Sequence, residues 1–236
     1  MVLEVIELPT EAIADQETEY SFVALSDIHI SQNAYYIYNR NYTRAIRDVI
    51  KNMPDISAII YPGDVTNNGK PIEFSVLGDL LNQFQKQLPP QYLIMGNHDL
   101  GLNKESWGQK VYNFLEYTGM PNYYYSFEVN GTSFICLGSD DATSTGSSVS
   151  AVIGKTQRDW LAEELRKAEA ADPDAPIFVI SHQPLYNTLV GTSSSIIEGD
   201  EELRILLDQY PQVIVISGHS HSALDRYYTV YDGGGE

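Results

Sequence analysis

The stretch Val213-Ile214-Val215-Ile216-Ser217-Gly218-His219-Ser220-His221 sets four β-branched residues shortly before a pair of histidines. A short apolar run of this kind is typical of a buried strand, and the polar residues would then lie just beyond its carboxyl end. All five histidines of the chain occur in such clusters. The arrangement is found four more times: Asp27-Ile28-His29 follows residues 22–25, Gly63-Asp64 follows 59–61, Gly96-Asn97-His98-Asp99 follows 92–95, and His182 follows 177–180.

The residue types in these clusters indicate a metal site. Successive strand residues point to opposite faces, so we expect Asp27 and His29 to share a side, and likewise His219 and His221. In open α/β sheets, ligands bind beyond the carboxyl ends of the strands, where all the clusters are predicted to lie. Nitrogen and oxygen donors without sulfur suit Zn, Mn, Fe, Co or Ni.

The number of potential ligands is too large for a single ion. A catalytic zinc typically takes about three protein ligands and keeps an open position. Two ions ~3.5–4 Å apart that share a bridging carboxylate would account for the larger set, and such a pair clamps both oxygens of an in-line phosphoryl displacement. The set comprises Asp27, His29, Asp64, Asn97, His182, His219 and His221.

Strand patterns alternate with helical patterns, which favours a mainly parallel sheet. Helical spacing is found over residues 42–52, and a second helix is predicted from Pro71 to about Leu88. Residues 123–137 break the alternation, because Asn130-Gly131 between two strand patterns predicts a β-hairpin. The segments 140–152 and 187–195 are rich in Ser, Thr and Gly and are predicted to be loops.

Composition excludes several classes of partner. The chain has 14 basic and 32 acidic residues, a net charge of −18, which disfavours long nucleic acid, a nuclease activity and an anionic membrane surface. It contains no stretch long enough to span a bilayer, and residues 1–14 do not resemble a signal peptide. A single cysteine, Cys136, excludes an intrachain disulfide and a thiolate-rich metal site.

The ordered motifs Asp-x-His, Gly-Asp, Gly-Asn-His-Asp, His and Gly-His-x-His resemble those of the calcineurin-like metallophosphoesterase family, in its branch of predicted phosphohydrolases near the cyclic-nucleotide phosphodiesterases. The resemblance covers residues 22–221. It implies a first metal held by Asp27, His29, Asp64 and His221, and a second held by Asp64, Asn97, His182 and His219, with Asp64 bridging.

The resemblance also implies a reaction. A metal-bridging hydroxide would attack phosphorus in line, and His98 would be the catalytic histidine that is not a ligand, placed near the leaving group. Asp99 is a candidate catalytic residue that would orient His98, although it could instead cap the segment that follows. We therefore expect a dinuclear phosphoester hydrolase that acts on a small-molecule phosphodiester or nucleotide-like compound.

The expected fold is α/β, a four-layer α/β/β/α sandwich of two mixed β-sheets flanked by helices, in a single domain over residues 1–236. The hairpin should extend the second sheet. Only 15 residues follow His221, whereas members of the resembled family usually have further closing strands. This departure indicates either a truncated C-terminal end or a small second sheet.

Two further departures from the family's motifs separate this chain from other branches of the family. The third position after Asp64 is Asn67, so the tyrosine that colours purple acid phosphatases is absent, and Asn67-Asn68-Gly69 stands where protein phosphatases have Asp-Arg-Gly. Asn67 could contact substrate, orient His98 or shape a turn.

No arginine adjoins a motif, which favours diesters over dianionic monoesters. A phosphomonoesterase and a non-catalytic metal-binding scaffold remain the alternatives. Tyr35, Tyr36, Tyr38 and Tyr42 could stack on a base or aryl group, but packing of a loop is favoured for them.

Overall fold

The computed structural model describes residues 21–101, 106–141, 150–189, 192 and 197–222. Its strands are β1 (Phe22–Ala24), β2 (Ala58–Tyr61), β3 (Gln91–Leu93), β4 (Tyr125–Val129), β5 (Thr132–Cys136), β6 (Ala151–Val152), β7 (Ile177–Ser181), β8 (Ile197–Glu198) and β9 (Val213–Ser217). Its helices are α1 (Ile37–Asn52), α2 (Pro71–Phe84), α3 (Asn97–Leu100), α4 (Trp107–Thr118), α5 (Lys155–Ala171) and α6 (Asp200–Leu207), and a short 3-10 turn over Gln85–Gln87 follows α2.

The first sheet has the strand order β1-β2-β3, and its described strands are all parallel. Val23 lies opposite Ile59, and Ile60 lies opposite Tyr92. Helices α1 and α2 make the two connections, as parallel strands require. The carboxyl ends of these strands therefore meet at one edge of the sheet, which brings the first three polar clusters together.

The second sheet has the order β4-β5-β7-β9 and is mixed. β4 and β5 form the predicted antiparallel hairpin, and β5, β7 and β9 are parallel. Asn130 and Gly131 adopt φ of 49° and 82°, as a two-residue turn with positive φ at both central positions requires. The parallel strands β7 and β9 deliver the remaining two clusters to one edge of this sheet.

The two sheets face each other, with helices on their outer sides. Alternate residues of β2 show this directly, because Ala58 and Ile60 contact the second sheet while Ile59 and Tyr61 pack toward α1, α2 and α4. On the second sheet, Ile135 packs toward α5 and α6. The predicted α/β sandwich with two sheets between helices is confirmed. It differs from the prediction in that the first sheet is parallel, not mixed, within the described residues.

An aromatic core joins the two sheets. The rings of Phe127, Phe134 and Phe178 stack in sequence with centroids 5.0 and 4.8 Å apart, and Phe22 meets the Phe134 and Phe178 rings edge-on. Phe134 is fully buried. Because the sheets are fixed against each other by this core, the loops at their adjoining edges have defined relative positions.

Two boundaries differ from the sequence-based expectations. Helix α1 begins at Ile37, five residues before the apolar spacing that starts at Tyr42, because Ile37, Tyr38 and Arg40 are exposed and the buried residue of this turn, Asn39, is polar. Ala151–Val152 was expected within a loop but pairs with β8. Most of the predicted loop 140–152, and residues 190, 191 and 193–195 of the predicted loop 187–195, lie outside the described residues.

No helix in the described part of the chain has the length and apolar character needed to cross a membrane.

Candidate metal centre

The predicted metal-binding residues come together at the carboxyl ends of five strands. Backbone hydrogen bonds hold the loops in register: the Asp27 amide donates to the Gly63 carbonyl at 3.1 Å and the His29 amide to the Asp64 carbonyl at 3.0 Å. The Gly218 amide donates to the His182 carbonyl at 3.0 Å. The site therefore spans both sheets.

One group of donors forms a compact cluster from Asp27, His29, Asp64 and His221. Their ligand atoms all lie within 4.8 Å of one another. His221 Nε2 lies 3.1 Å from Asp27 Oδ1, and His29 Nε2 lies 3.9 Å from Asp64 Oδ2. His29 Nε2 and His221 Nε2 are 3.2 Å apart. Two imidazole nitrogens facing each other this closely, beside two carboxylates, suit a cation between them.

A second group of donors continues from the same carboxylate. His182 Nε2 lies 3.3 Å from Asp64 Oδ2 and 3.2 Å from Asn97 Oδ1. His219 Nδ1 lies 2.9 Å from Asn97 Oδ1. Asp64 thus stands between the two groups, and its side chain is almost fully buried.

The hydrogen bonding of His182 sets its tautomer for ligation. Its Nδ1 lies 2.8 Å from the Pro62 carbonyl oxygen, which can only accept, so Nδ1 carries the proton. The Nε2 lone pair is then directed at Asp64 and Asn97. A backbone carbonyl that fixes the outer nitrogen of an imidazole is a common feature of metal-ligating histidines. The donor set and its orientation fit a metal centre.

Unusual backbone conformations aim these side chains. Asp27, His29, Asp64, His219 and His221 all have positive φ, between 45° and 69°. Each such residue costs on the order of 1–2 kcal/mol relative to the right-handed region, and such outliers cluster at functional sites. The prediction that strand alternation aims the paired side chains is wrong, because β1 ends at Ala24 and β9 at Ser217, before the ligand positions. Left-handed loop residues, not the pleat, direct the paired side chains.

Two glycines permit the close approach of the loops. A Cβ at Gly63, which has φ of 86°, would collide with the His182 ring, and one at Gly218 would collide with the Ser26 hydroxyl and lie 2.6 Å from Asp27 Oδ2. Any larger residue at these positions would push the ligand-bearing loops apart. The glycines of the Gly-Asp and Gly-His-x-His motifs therefore have a steric function.

The electrostatics of the cluster centre on Asp64. Burial raises the pKa of its carboxyl, but His182 and the His98 amide outweigh this effect and hold that pKa below its ordinary value. Burial disfavours a charged His182, yet the Asp64 carboxylate raises its pKa to about 9. Burial and the charge of His182 lower the pKa of His219 to about 4. Without a bound cation, a proton on His182 balances the negative charge of Asp64. A metal ion would replace that proton.

His98 lies at the accessible side of the cluster. Its side chain is 43% exposed, its amide donates to Asp64 Oδ1 at 2.8 Å, and its Nε2 is 4.0 Å from Asp64 Oδ2. Its Nδ1 lies 2.8 Å from the Asn67 carbonyl oxygen and therefore carries a proton. The Asn67 backbone, not the Asp99 side chain, orients the ring, which corrects the expected pairing of Asp99 with His98.

Asp99 instead ties the β2 and β3 loops together. It is fully buried, and its carboxylate accepts hydrogen bonds from the Val65 amide at 3.1 Å, the Gly96 amide at 2.8 Å, and the Thr66 amide and hydroxyl, each at 2.7 Å. Burial and the charge of Asp64 raise the pKa of Asp99, whereas the bonds from Gly96 and Thr66 oppose that rise. All these donors precede Asp99 in the chain, so the hydrogen bonds are not those of a cap on the following segment; they organise the loops after β2 and β3.

Two residues that support the site, Pro62 and Thr66, were not predicted from the sequence. The Pro62 carbonyl accepts from the Ser26 hydroxyl at 3.0 Å as well as from His182, and the Thr66 hydroxyl joins Asp99 to the Gly69 amide at 3.2 Å. Thr66 lies two residues after Asp64, so its position was a possible signal. The Pro62 contact is made by a backbone atom and has no signal in side-chain chemistry.

Comparison with known proteins agrees with this geometry. A family model described as calcineurin-like phosphoesterase matches residues 20–223. The chain is 26% identical over 219 residues to a 3',5'-cyclic-nucleotide phosphodiesterase of Nostoc sp., covering 90% of this chain and 75% of that protein.

The chain is also 26% identical over 211 residues to a protein of Arcobacter nitrofigilis named as a probable glycerophosphodiester phosphodiesterase. That match covers 84% of this chain and 71% of the Arcobacter protein. A purple acid phosphatase from yellow lupin seeds has a similar fold, with a TM-score of 0.57 and 18% identity. That match covers 85% of this chain but 37% of the lupin chain.

Replacing Asp99 by Asn should weaken the loop scaffold. The variant would set an amide NH2 against the surrounding N–H donors, so at least one buried donor loses its acceptor, at a cost of about 1–3 kcal/mol. Urea unfolding of the metal-free protein measures the change. The exposed Asp159→Asn serves as the control and should stay within about 0.5 kcal/mol of wild type. Unchanged stability in Asp99→Asn would contradict the role assigned to this carboxylate.

Proposed function

The chain belongs to the calcineurin-like phosphoesterase family and is a metal-dependent phosphoric ester hydrolase, and we propose that it uses a dinuclear centre to hydrolyse small-molecule phosphodiesters. The observation that carries this proposal is the sharing of Asp64 by two groups of donors. Its Oδ2 lies 3.9 Å from His29 Nε2 in one group and 3.3 Å from His182 Nε2 in the other. A carboxylate with imidazoles on both sides is the arrangement expected of a bridging ligand.

The proposed ligand assignment follows from these two groups. Asp27, His29, Asp64 and His221 would hold one ion, and Asp64, Asn97, His182 and His219 the other. When bound, a pair of such ions supplies a water molecule acidified for attack and positive charge for the phosphoryl oxygens. Mn, Zn, Fe, Co and Ni all suit this nitrogen and oxygen donor set.

His98 is proposed as the general acid. Its Nδ1 donates to the Asn67 carbonyl, so Nε2 is the atom that can hold and release a proton. The exposure of the ring leaves Nε2 accessible to a substrate seated on the cluster. A proton on Nε2 would pass to the departing alkoxide, while the ring also stabilises charge on the phosphoryl group.

The lining of the adjoining cavity favours a diester over a monoester. The cavity has a volume of about 510 Å³ and contains Asp27, His29 and His221 from the cluster, and no Lys or Arg lies among its described lining residues. A monoester dianion benefits from an additional cationic clamp, whereas a diester carries a single negative charge. The net charge of −18 opposes a nucleic-acid substrate.

Substitution of ligands from the two groups should separate the metal sites. We expect two ions per chain in the wild type by elemental analysis after dialysis against Mn²⁺, and loss of about one ion in either His29→Ala or His182→Ala. Tyr112→Ala, at an exposed helix position, is the control and should keep both ions. A single ion per chain in the saturated wild type would exclude the dinuclear proposal.

A hydrolysis screen tests the substrate class. Bis-p-nitrophenyl phosphate and p-nitrophenyl phosphate are compared with Mn²⁺, Zn²⁺, Co²⁺ and Ni²⁺ added separately. We expect a higher kcat/KM for the diester, because the described lining of the cavity offers no cationic side chain to a dianion. Chelation should abolish activity and added metal should restore it, because the proposed reaction depends on the bound ions. Hydrolysis of the monoester alone would overturn the preference for diesters. No hydrolysis with two ions bound would favour the non-catalytic scaffold.

Replacing His98 by Ala should lower kcat and leave metal content unchanged, because its ring is not one of the proposed ligands. Loss of a general acid typically costs about 10²- to 10⁴-fold. The loss should be larger for a dialkyl phosphodiester than for bis-p-nitrophenyl phosphate, since p-nitrophenolate leaves without a proton. Equal losses for both esters would argue against proton donation, and loss of both metals would contradict the assignment of His98 as a non-ligand.

A further inference from the structure

A tyrosine borders the cavity beside the metal-binding cluster. Tyr38 lies in the first turn of α1 and lines the same cavity as Asp27, His29 and His221. Its ring centroid is 5.8 Å from that of His29, with an angle of 42° between the planes. Tyr38 is 41% exposed, so packing within the protein leaves part of its surface accessible.

The position of Tyr38 is fixed by the turn that leads into α1. Asn39 is buried and makes a reciprocal pair with Ser31: the Ser31 amide donates to Asn39 Oδ1 and Asn39 Nδ2 donates to the Ser31 carbonyl, both at 2.9 Å. Tyr36 meets the Tyr38 ring edge-on with centroids 5.1 Å apart. The helix, the amide pair and this ring contact hold Tyr38 at a set distance from His29, which lowers the entropic cost of stacking against a ligand.

The rest of the cavity is suited to an uncharged, planar group. Besides the cluster residues and Tyr38, its described lining consists of small polar residues and the apolar side chains of Ala24, Pro62, Leu189 and Ile216. A second phosphate or a carboxylate would find no Lys or Arg among these described residues. An aromatic substituent would find the Tyr38 ring on one side and, elsewhere, apolar side chains interspersed with uncharged serines.

We propose that Tyr38 is a specificity-determining residue that stacks on an uncharged aromatic substituent of the phosphoester. The inference rests on the proposed function only in that the phosphoryl end is held at the metal centre. Loop packing was the favoured prediction for this tyrosine and stacking the alternative; its ring contacts Tyr36 within the turn, and the residue is also 41% exposed at the cavity.

The inference is tested by binding, without hydrolysis. The metal-loaded full chain is titrated calorimetrically with phenylphosphonate, cyclohexylphosphonate and methylphosphonate. We expect the wild type to bind phenylphosphonate about tenfold more tightly than methylphosphonate, as one stacked ring is typically worth a factor of this order. Cyclohexylphosphonate, of similar size but not planar, should bind more weakly than the phenyl compound.

The variants separate stacking from other roles. Tyr38→Leu should abolish the preference for phenylphosphonate with little change for methylphosphonate, and Tyr38→Phe should retain it, because the ring is kept. Tyr35→Leu is the matched control from the same turn, since Tyr35 is 88% exposed and does not line the cavity. It should behave as wild type.

Two results would overturn the inference: a phenyl preference that survives in Tyr38→Leu, or equal affinities of the wild type for the phenyl and cyclohexyl compounds. An inactive wild type that still shows the Tyr38-dependent preference would contradict the proposed function and support the inference. Phosphodiester hydrolysis without any preference for phenylphosphonate would support the proposed function and contradict the inference.

Discussion

The burial of the Asp64 carboxylate is the constraint on which the rest of the site depends. An isolated buried carboxylate is costly and must be compensated. Here the His98 amide donates to it, and imidazoles from the β1 and β7 loops face it. Compensation therefore requires that loops of both sheets converge, so the charge of one side chain is linked to the docking of one sheet on the other. A glycine at position 96 follows from the same crowding, because a Cβ there would collide with the Asp64 carboxylate.

Convergence is achieved against the local preferences of the chain. The backbone of five of the seven predicted ligands lies in the left-handed region, which costs each of them on the order of 1–2 kcal/mol. Such conformations persist when the surroundings over-determine them. The aromatic core between the sheets and the hydrogen bonds of Asp99 provide those surroundings, one by fixing the sheets and the other by fixing the loops after β2 and β3. Stability elsewhere in the fold thus maintains strain at the site.

The proposed metal centre explains how a strongly acidic protein could bind an anionic substrate. With a net charge of −18, the surface does not attract phosphate esters, so attraction must be local. Two divalent cations against the carboxylates of Asp27 and Asp64 would give a net positive charge at the proposed centre. The cavity beside it has neither Lys nor Arg in its described lining and has an exposed tyrosine ring. Charge would then position the phosphoryl group, and shape and aromatic contact would select what is attached to it.

The sequence by itself determined the strands that precede the polar clusters, the hairpin and the identity of the clustered residues, because apolar runs followed by polar residues and Asn-Gly are local signals; the short pair β6 and β8 it did not predict. It did not determine how the ligands are aimed, since no local signal specifies the left-handed φ of Asp27 or His221. It left both Asp99 and Asn67 as candidates to orient His98, and the folded chain decides for Asn67, through its backbone carbonyl. The Pro62 carbonyl on His182 and the place of Tyr38 at the cavity were likewise decided by tertiary structure. Backbone atoms and residues far apart in sequence made these contacts, and local pattern carries no information about which of them will meet.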